Sequence, residues 1–203
     1  MKFYNSMGPN PQIVRMFMAE KGISVETVEV DLMAGENRQD AHYKRNPSGQ
    51  LPALELDDGS FISEITAICE YLEEKNPAPA LIGSTAEERA ETRMWTRKID
   101  LNICEPMATG FRAVEGNAIF KDRIPLVPTG ADELKASGQH YLGWLNDQME
   151  GKEFICGDRF SYADIHAFCF IGFLGAVGQP LNPEHKNLTA WLERIGGRES
   201  ASA

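Results

Sequence analysis

Apolar residues recur at two different periods along this chain. Val28, Val30 and Leu32 alternate with Glu29 and Asp31, a period of two that predicts a strand. Lys2 to Tyr4 reads as another short strand. Between them, Ile13, Val14, Phe17 and Met18 share one side of a helix predicted over Pro11 to Lys21. Proline sits near its first turn and Gly22 provides its stop. Residues Glu36 to Arg45 are polar and only weakly helical. Ala53 to Leu56 and Phe61-Ile62, divided by the turn Asp57-Asp58-Gly59, read as a β-hairpin. Ile65, Ile68, Cys69 and Leu72 then mark a helix from about Glu64 to Lys75. The order β-α-β-α-β-β-α predicts a small α/β layer. Its first strands pair in parallel through a helical crossover and its last are antiparallel.

Asn76-Pro77-Ala78-Pro79-Ala80 breaks the pattern and reads as a linker. No strand pattern follows it. Thr85 with Glu88 fits a capping box opening a long helix through Trp95, Ile99, Ile103 and Met107, which Pro106 should kink or split. A loop at Ile124 to Pro128 precedes a helix carrying Leu134, Tyr141, Leu142, Leu145 and Met149. Ser161-Tyr162-Ala163-Asp164 opens another helix, apolar nearly all round to Val177. It is too short for a membrane span and carries Asp164 and His166, so it reads as a buried core helix. Asn187 is the expected cap of a last helix ending at Gly196-Gly197, and the residues after Arg198 read as a loose tail.

Composition narrows the function classes. With 203 residues, the chain has room for one large or two small domains, and its 42% apolar content supplies a core. A net charge of -10 with no basic stripe argues against nucleic acid or an anionic membrane as partner. Cys69, Cys104, Cys156 and Cys169 form no CxxC pair and follow no signal peptide, so reduced thiols in a cytoplasmic protein are expected. The four histidines have no metal-ligand spacing, so no metal is expected.

Pro52 stands at the mouth of the hairpin and removes a backbone donor there. Two readings are open. Pro52 begins an edge strand, or Leu51-Pro52 is a cis bond that turns Leu51's own N–H and C=O outward toward a peptide-like ligand.

Gln50-Leu51-Pro52-Ala53-Leu54, Ser63-Glu64-Ile65-Thr66-Ala67-Ile68 with Tyr71-Leu72, and Phe160-Ser161-Tyr162-Ala163-Asp164 occur in order along the chain. In that order and spacing they resemble the motifs of the soluble glutathione S-transferases. Phe3 to Gly22 and Asp31 to Gly35 resemble a fungal and bacterial subgroup lacking an obvious standard catalytic residue. The resemblance implies a thioredoxin-like α/β N-terminal domain over 1–76 and a linker over 77–86. An all-α C-terminal helical domain over 87–203 would then carry an electrophile pocket.

It also implies site roles. Glutathione's cysteinyl backbone would pair with Leu51 beside cis Pro52, and Glu64 would meet the γ-glutamyl ammonium. The γ-glutamyl carboxylate would lie at the N-terminus of the helix starting near Glu64, and Gln50 would reach the backbone or glycyl end. The family's serine after the glutamate is Ile65 here. The backbone N–H remains, but the lost hydroxyl bond is worth about 1 kcal/mol. Thr66 is a partial substitute. Asp100 is a candidate to reach the γ-glutamyl group across a dimer interface, and the resemblance implies a homodimer. Each position also has a plainer reading: an edge-strand start for Pro52, an N-terminal helix charge for Glu64, an exposed helix charge for Asp100, a surface residue for Gln50.

Thiol activation is expected from the turn after the first strand. Lowering a thiol pKa by about two units needs roughly 2.7 kcal/mol of preferential thiolate stabilisation. Ser6 matches best by position and type, with Asn5 second and Asn10 a further donor; Tyr4 reads as strand core. Asn5 and Ser6 serve equally well as plain turn residues. Glu105, Thr109 and Arg112 share a helix face and are candidates for the electrophile pocket, though helical packing explains them almost as well. Arg15 and Arg38 are candidates for the glycyl carboxylate but read better as solvated surface, His140 as surface and His166 as core. The expected activity is conjugation of the glutathione thiolate to a small hydrophobic electrophile, with glutathione as co-substrate. A glutathione-dependent peroxidase or reductive thiol transfer on the same fold is one alternative. A non-enzymatic ligand-binding or interaction protein is the other.

Overall fold

Strand β1 (Lys2–Asn5) becomes central because two partners claim its edges. A computed structural model describes residues 1–203. β1 pairs in parallel with β2 (Glu26–Glu29) and antiparallel with β3 (Ala53–Glu55), which pairs antiparallel with β4 (Phe61–Ser63), giving the order β2-β1-β3-β4. Phe3 and Leu54 are fully buried on one face of this sheet. Ile13 and Phe17 of α1 (Pro9–Glu20) and Ile68 and Leu72 of α3 (Ile65–Lys75) join them among the largest fully buried side chains, and Val14 of α1 is fully buried as well. The opposite face gathers Tyr4, Val30 and Ala53, with Val28 and Leu51 packed against them.

The boundaries differ from the pattern in a few places. α1 starts at Pro9, two residues early, because Pro9 as well as Pro11 suits a first helical turn. β2 ends at Glu29, after which a single bond from Val30 N–H to the Asn5 carbonyl, at 2.9 Å, continues the pairing. Leu32 then leaves the expected strand for a turn, where Glu36 accepts from Asp31 N–H at 2.8 Å. The weakly helical 36–45 stretch holds a 3-10 turn, Glu36–Arg38, and one helical turn, α2 (Asp40–Tyr43).

By internal contacts the chain divides into Met1–Ala80 with Glu199–Ala203, and Leu81–Arg198. The expected loose tail is therefore a correction. Glu199–Ser202 forms a 3-10 turn, Ser200 is buried, and its hydroxyl donates to Glu20 at the end of α1.

The second unit is wholly helical apart from isolated bridges. It comprises α4 (Ala86–Ile99), α5 (Glu105–Ala113), α6 (Asn117–Phe120), α7 (Ala131–Gln148), α8 (Tyr162–Ala176) and α9 (Lys186–Gly196). The expected long helix through Pro106 is split. Asp100–Cys104 runs as a π-helix, in which Glu105 N–H reaches back to the Asp100 carbonyl, and Pro106 falls in the first turn of α5. A proline there lacks an N–H and crowds the carbonyl four residues back, so widening one turn costs less than continuing α4. Gly138 of α7 packs so closely on α5 that an added Cβ would lie 2.1 Å from Met107 Cγ. α8 opens with the expected capping box of Ser161 and Asp164 and is buried along most of its length. Asn187 does not cap α9, which begins at Lys186. Asn146 of α7 caps it instead, its Oδ1 accepting from the N–H groups of Asn187 at 3.0 Å and Leu188 at 3.3 Å. No helix is long and apolar enough to cross a membrane.

Candidate functional site

Strand register gathers the expected ligand residues at one end of the sheet. Tyr4 lies opposite Ala53, and Ala53 opposite Ser63. The residues just beyond those pairs therefore share one edge: Asn5 at the end of β1 and Ser6 after it, Leu51 and Pro52 before β3, and Glu64 after β4. Asp100, Glu105, Thr109 and Arg112 belong to the helical unit.

The Leu51-Pro52 bond is cis, the backbone geometry of the second of the two readings of that proline. Leu51's side chain packs inward on Tyr4, Val30 and Ala53. No backbone bond within the protein takes up its N–H or C=O. Gln50 is exposed, while its carbonyl accepts from His42 Nε2 at 2.8 Å and Asn46 Nδ2 at 2.9 Å.

Glu64 is exposed and is the only non-glycine residue with positive φ, 71°. It precedes α3, which has no side-chain cap. The first bond of that helix runs from Ile68 N–H to the Glu64 carbonyl at 2.9 Å. The N–H groups of Ile65 and Ala67 point along the axis with no carbonyl of the helix to meet, an arrangement that favours a carboxylate. Ile65 contributes a half-buried apolar side chain where a hydroxyl would have been a further donor.

The β1–α1 turn is committed differently from its expected role. Ser6 is buried and its hydroxyl donates to the Val30 carbonyl at 2.8 Å. Asn5 donates to Glu29 at 2.6 Å and accepts from Arg15 at 2.7 Å. Arg15 is thus part of this network, also reaching the Ser6 carbonyl at 3.3 Å, and is not a solvated surface residue. Arg38 likewise donates to the Ser48 carbonyl at 3.2 Å. Helix α1 offers little to an anion. Pro9 and Pro11 carry no N–H, and Gln12 N–H goes to the Gly8 carbonyl at 3.3 Å, which leaves Asn10. Tyr4 donates to Glu55 at 2.7 Å under the Arg45 guanidinium, as a sheet residue. Burial and the Glu55 bond raise its phenol pKa, against a lowering effect of Arg45.

In the helical unit, Arg112 pairs with Glu105 at 3.7 Å, placing both on one face of α5, and Thr109 between them is half-buried. Asp100 lies 3.4 Å from Arg97 and 3.6 Å from His166, which is buried; His140 is exposed. No group of three or more His, Cys, Asp or Glu side chains is arranged to hold a metal ion.

A four-stranded thioredoxin-like sheet with a cis-proline loop, followed by a helical unit, defines a glutathione-transferase class of fold. Models of the glutathione S-transferase N-terminal and C-terminal domains match residues 7–75 and 126–199. Glutathione S-transferase 2 of Saccharomyces cerevisiae is 31% identical over 198 residues, covering 95% of this chain and 84% of that protein. The crystal structure of Gtt2 from Saccharomyces cerevisiae superposes with a TM-score of 0.93 at 29% identity, covering 100% of this chain and 99% of the other. A glutathione S-transferase domain-containing protein of Marinobacter aquaeolei gives 0.93 at 34% identity, covering 98% and 99%. The chain belongs to the glutathione S-transferase family.

Proposed function

We propose that this protein binds glutathione at the sheet end and conjugates its thiolate to a small hydrophobic electrophile. The observation that carries the reading is the shared edge of Leu51, cis Pro52, Glu64 and the uncapped start of α3. Leu51's unpaired backbone takes the cysteinyl residue as an added strand. Glu64 takes the γ-glutamyl ammonium, the first turn of α3 takes the γ-glutamyl carboxylate, and Gln50 takes the glycyl end. Glu105, Thr109 and Arg112 are assigned to the electrophile pocket, and Asp100 to the γ-glutamyl group of a second copy in a cytoplasmic homodimer. Activation of the thiol is assigned to the β1–α1 turn, with Ser6 first and Asn5 second. For Ser6 the donation requires exchanging Val30's carbonyl for the thiolate sulfur as acceptor.

That engagement of Ser6 and Asn5 supports one other reading, a glutathione-binding protein without turnover. Ultraviolet titration of bound glutathione against pH separates the two. The expected result for a transferase is saturable binding with the thiol pKa lowered about two units, and a Ser6→Ala variant that binds normally but loses about half of that shift. Saturable binding with an unshifted thiol supports the non-catalytic reading, and absence of binding removes both.

A further inference from the structure

One peptide plane joins the Gln50 carbonyl to the Leu51 N–H, and the two groups point in opposite directions across it. Whatever fixes the carbonyl therefore aims the N–H. In this protein two buried side chains converge on the Gln50 carbonyl: His42 Nε2 at 2.8 Å and Asn46 Nδ2 at 2.9 Å. A carbonyl only accepts, so His42 carries its proton on Nε2. His42 is 1% exposed and Asn46 3%.

The flanking carbonyls are held in the same way. Asn37 donates to Gly49 at 2.7 Å and Arg38 to Ser48 at 3.2 Å. Three successive carbonyls of the loop are thus pinned by side chains from residues 37–46. Gly49 has φ 64°, which favours glycine, and an added Cβ would meet the Asn37 carbonyl oxygen at 3.2 Å as well as Tyr43 Cε1 at 2.8 Å and Arg38 Nη1 at 2.9 Å.

We propose that His42 is a positioning residue for glutathione: by pinning the Gln50 carbonyl inward, together with Asn46, it directs the Leu51 N–H toward the bound cysteinyl residue. It touches no reacting atom. This rests on the glutathione reading of the sheet end and deepens it. Asn46 also organises the loop itself, since its Oδ1 accepts from Ser48 N–H at 3.2 Å and Ser48 Oγ at 2.9 Å. His42 is therefore the cleaner position to test, because its one hydrogen-bonded ring nitrogen serves this peptide.

The experiment measures glutathione Kd by calorimetry and, at saturating glutathione, kcat toward a model aryl halide. Wild-type binding is established first; its absence would overturn the site reading, and this inference with it. His42→Phe fills the space without a donor, and His42→Gln restores one. The expected result is a Kd raised about tenfold in His42→Phe, kcat within twofold of wild type, and most of the affinity regained in His42→Gln. Should His42→Phe not fold, His42→Met takes its place as the donor-free variant. A folded donor-free variant with wild-type Kd overturns the proposal. So does a donor-free variant that loses kcat at unchanged Kd, or a His42→Gln that binds no better than it.

Discussion

Glu64 joins a backbone demand to a chemical one. Its φ of 71° with ψ 122° lies outside even the small left-handed well open to ordinary residues, a conformation costing on the order of 1–3 kcal/mol. A glycine, with no Cβ, would adopt it at a lower cost. The carboxylate at this position must therefore contribute something that a glycine cannot, and ammonium recognition is the candidate. Glu64→Gly should leave the protein at least as stable to urea as wild type while raising the glutathione Kd tenfold or more, about 1.4 kcal/mol. Glu64→Gln keeps the strained backbone and a neutral acceptor, and should fall between them. If Glu64→Gly binds as well as wild type, the side chain is idle and the γ-glutamyl end is held by α3 alone. The identity of Glu64 is legible in the sequence, as part of Ser63-Glu64-Ile65. Its conformation is not, because glutamate carries none of the turn preference that glycine or asparagine would have shown. His42 was illegible for a related reason. It sits in a one-turn helix with no apolar period, and its partner is a main-chain carbonyl, which has no residue type to read.

Among the elements, periodicity foretold the helices and strands whose faces are buried, and failed where a distant side chain sets the boundary. α9 shows this: Asn187 has the right chemistry for a cap, but Asn146 reaches its N-terminus from α7. α8 shows the opposite, since its cap lies in its own sequence. Asp164 accepts from Ile155 N–H at 2.9 Å, Trp191 Nε1 at 2.9 Å, Ser161 N–H at 2.9 Å and Ser161 Oγ at 3.0 Å. One carboxylate thus ties together the start of α8, the loop before it and the core tryptophan of α9. Asp164→Asn turns an amide donor on these donors and should cost about 3 kcal/mol in urea unfolding. Burial pushes the Asp164 carboxyl above its ordinary 3.8, and the four donors only partly pull it back. The folded protein therefore takes up this proton at a higher pH than the unfolded chain. The resulting stabilisation is complete below the unfolded value and is lost as pH rises through the raised folded one. The gap between wild type and Asp164→Asn should accordingly widen as pH is lowered from neutrality toward 3.8. A gap that narrows would mean that the donors outweigh burial.

For the molecule as a whole, the distribution of its thiols bears on the reaction. None of the four cysteines is in a disulfide and all are buried, in α3, the π-helical turn, the loop before α8, and α8 itself. Burial pushes the Cys104 thiol well above its ordinary value, with Asp100 and Glu105 adding to the rise. Burial also raises Cys156, against the lowering effect of bonds to Ser161 and Thr92. The thiolate is the reactive form, so raised and inaccessible thiols are poor nucleophiles at neutral pH. Reductive transfer through a protein–glutathione mixed disulfide needs a low-pKa, accessible cysteine, whereas conjugation needs only the thiol that glutathione brings. Native protein exposed to a disulfide dye at neutral pH should therefore release almost no colour on the timescale of turnover, and four equivalents after unfolding in denaturant. Incubation with oxidised glutathione should likewise leave the native mass unchanged. A cysteine that reacts within seconds in the folded state would return the thiol-transfer chemistry to consideration and would identify the residue that carries it. An inert native protein that still lowers the pKa of bound glutathione would place all of the nucleophilic sulfur on the substrate.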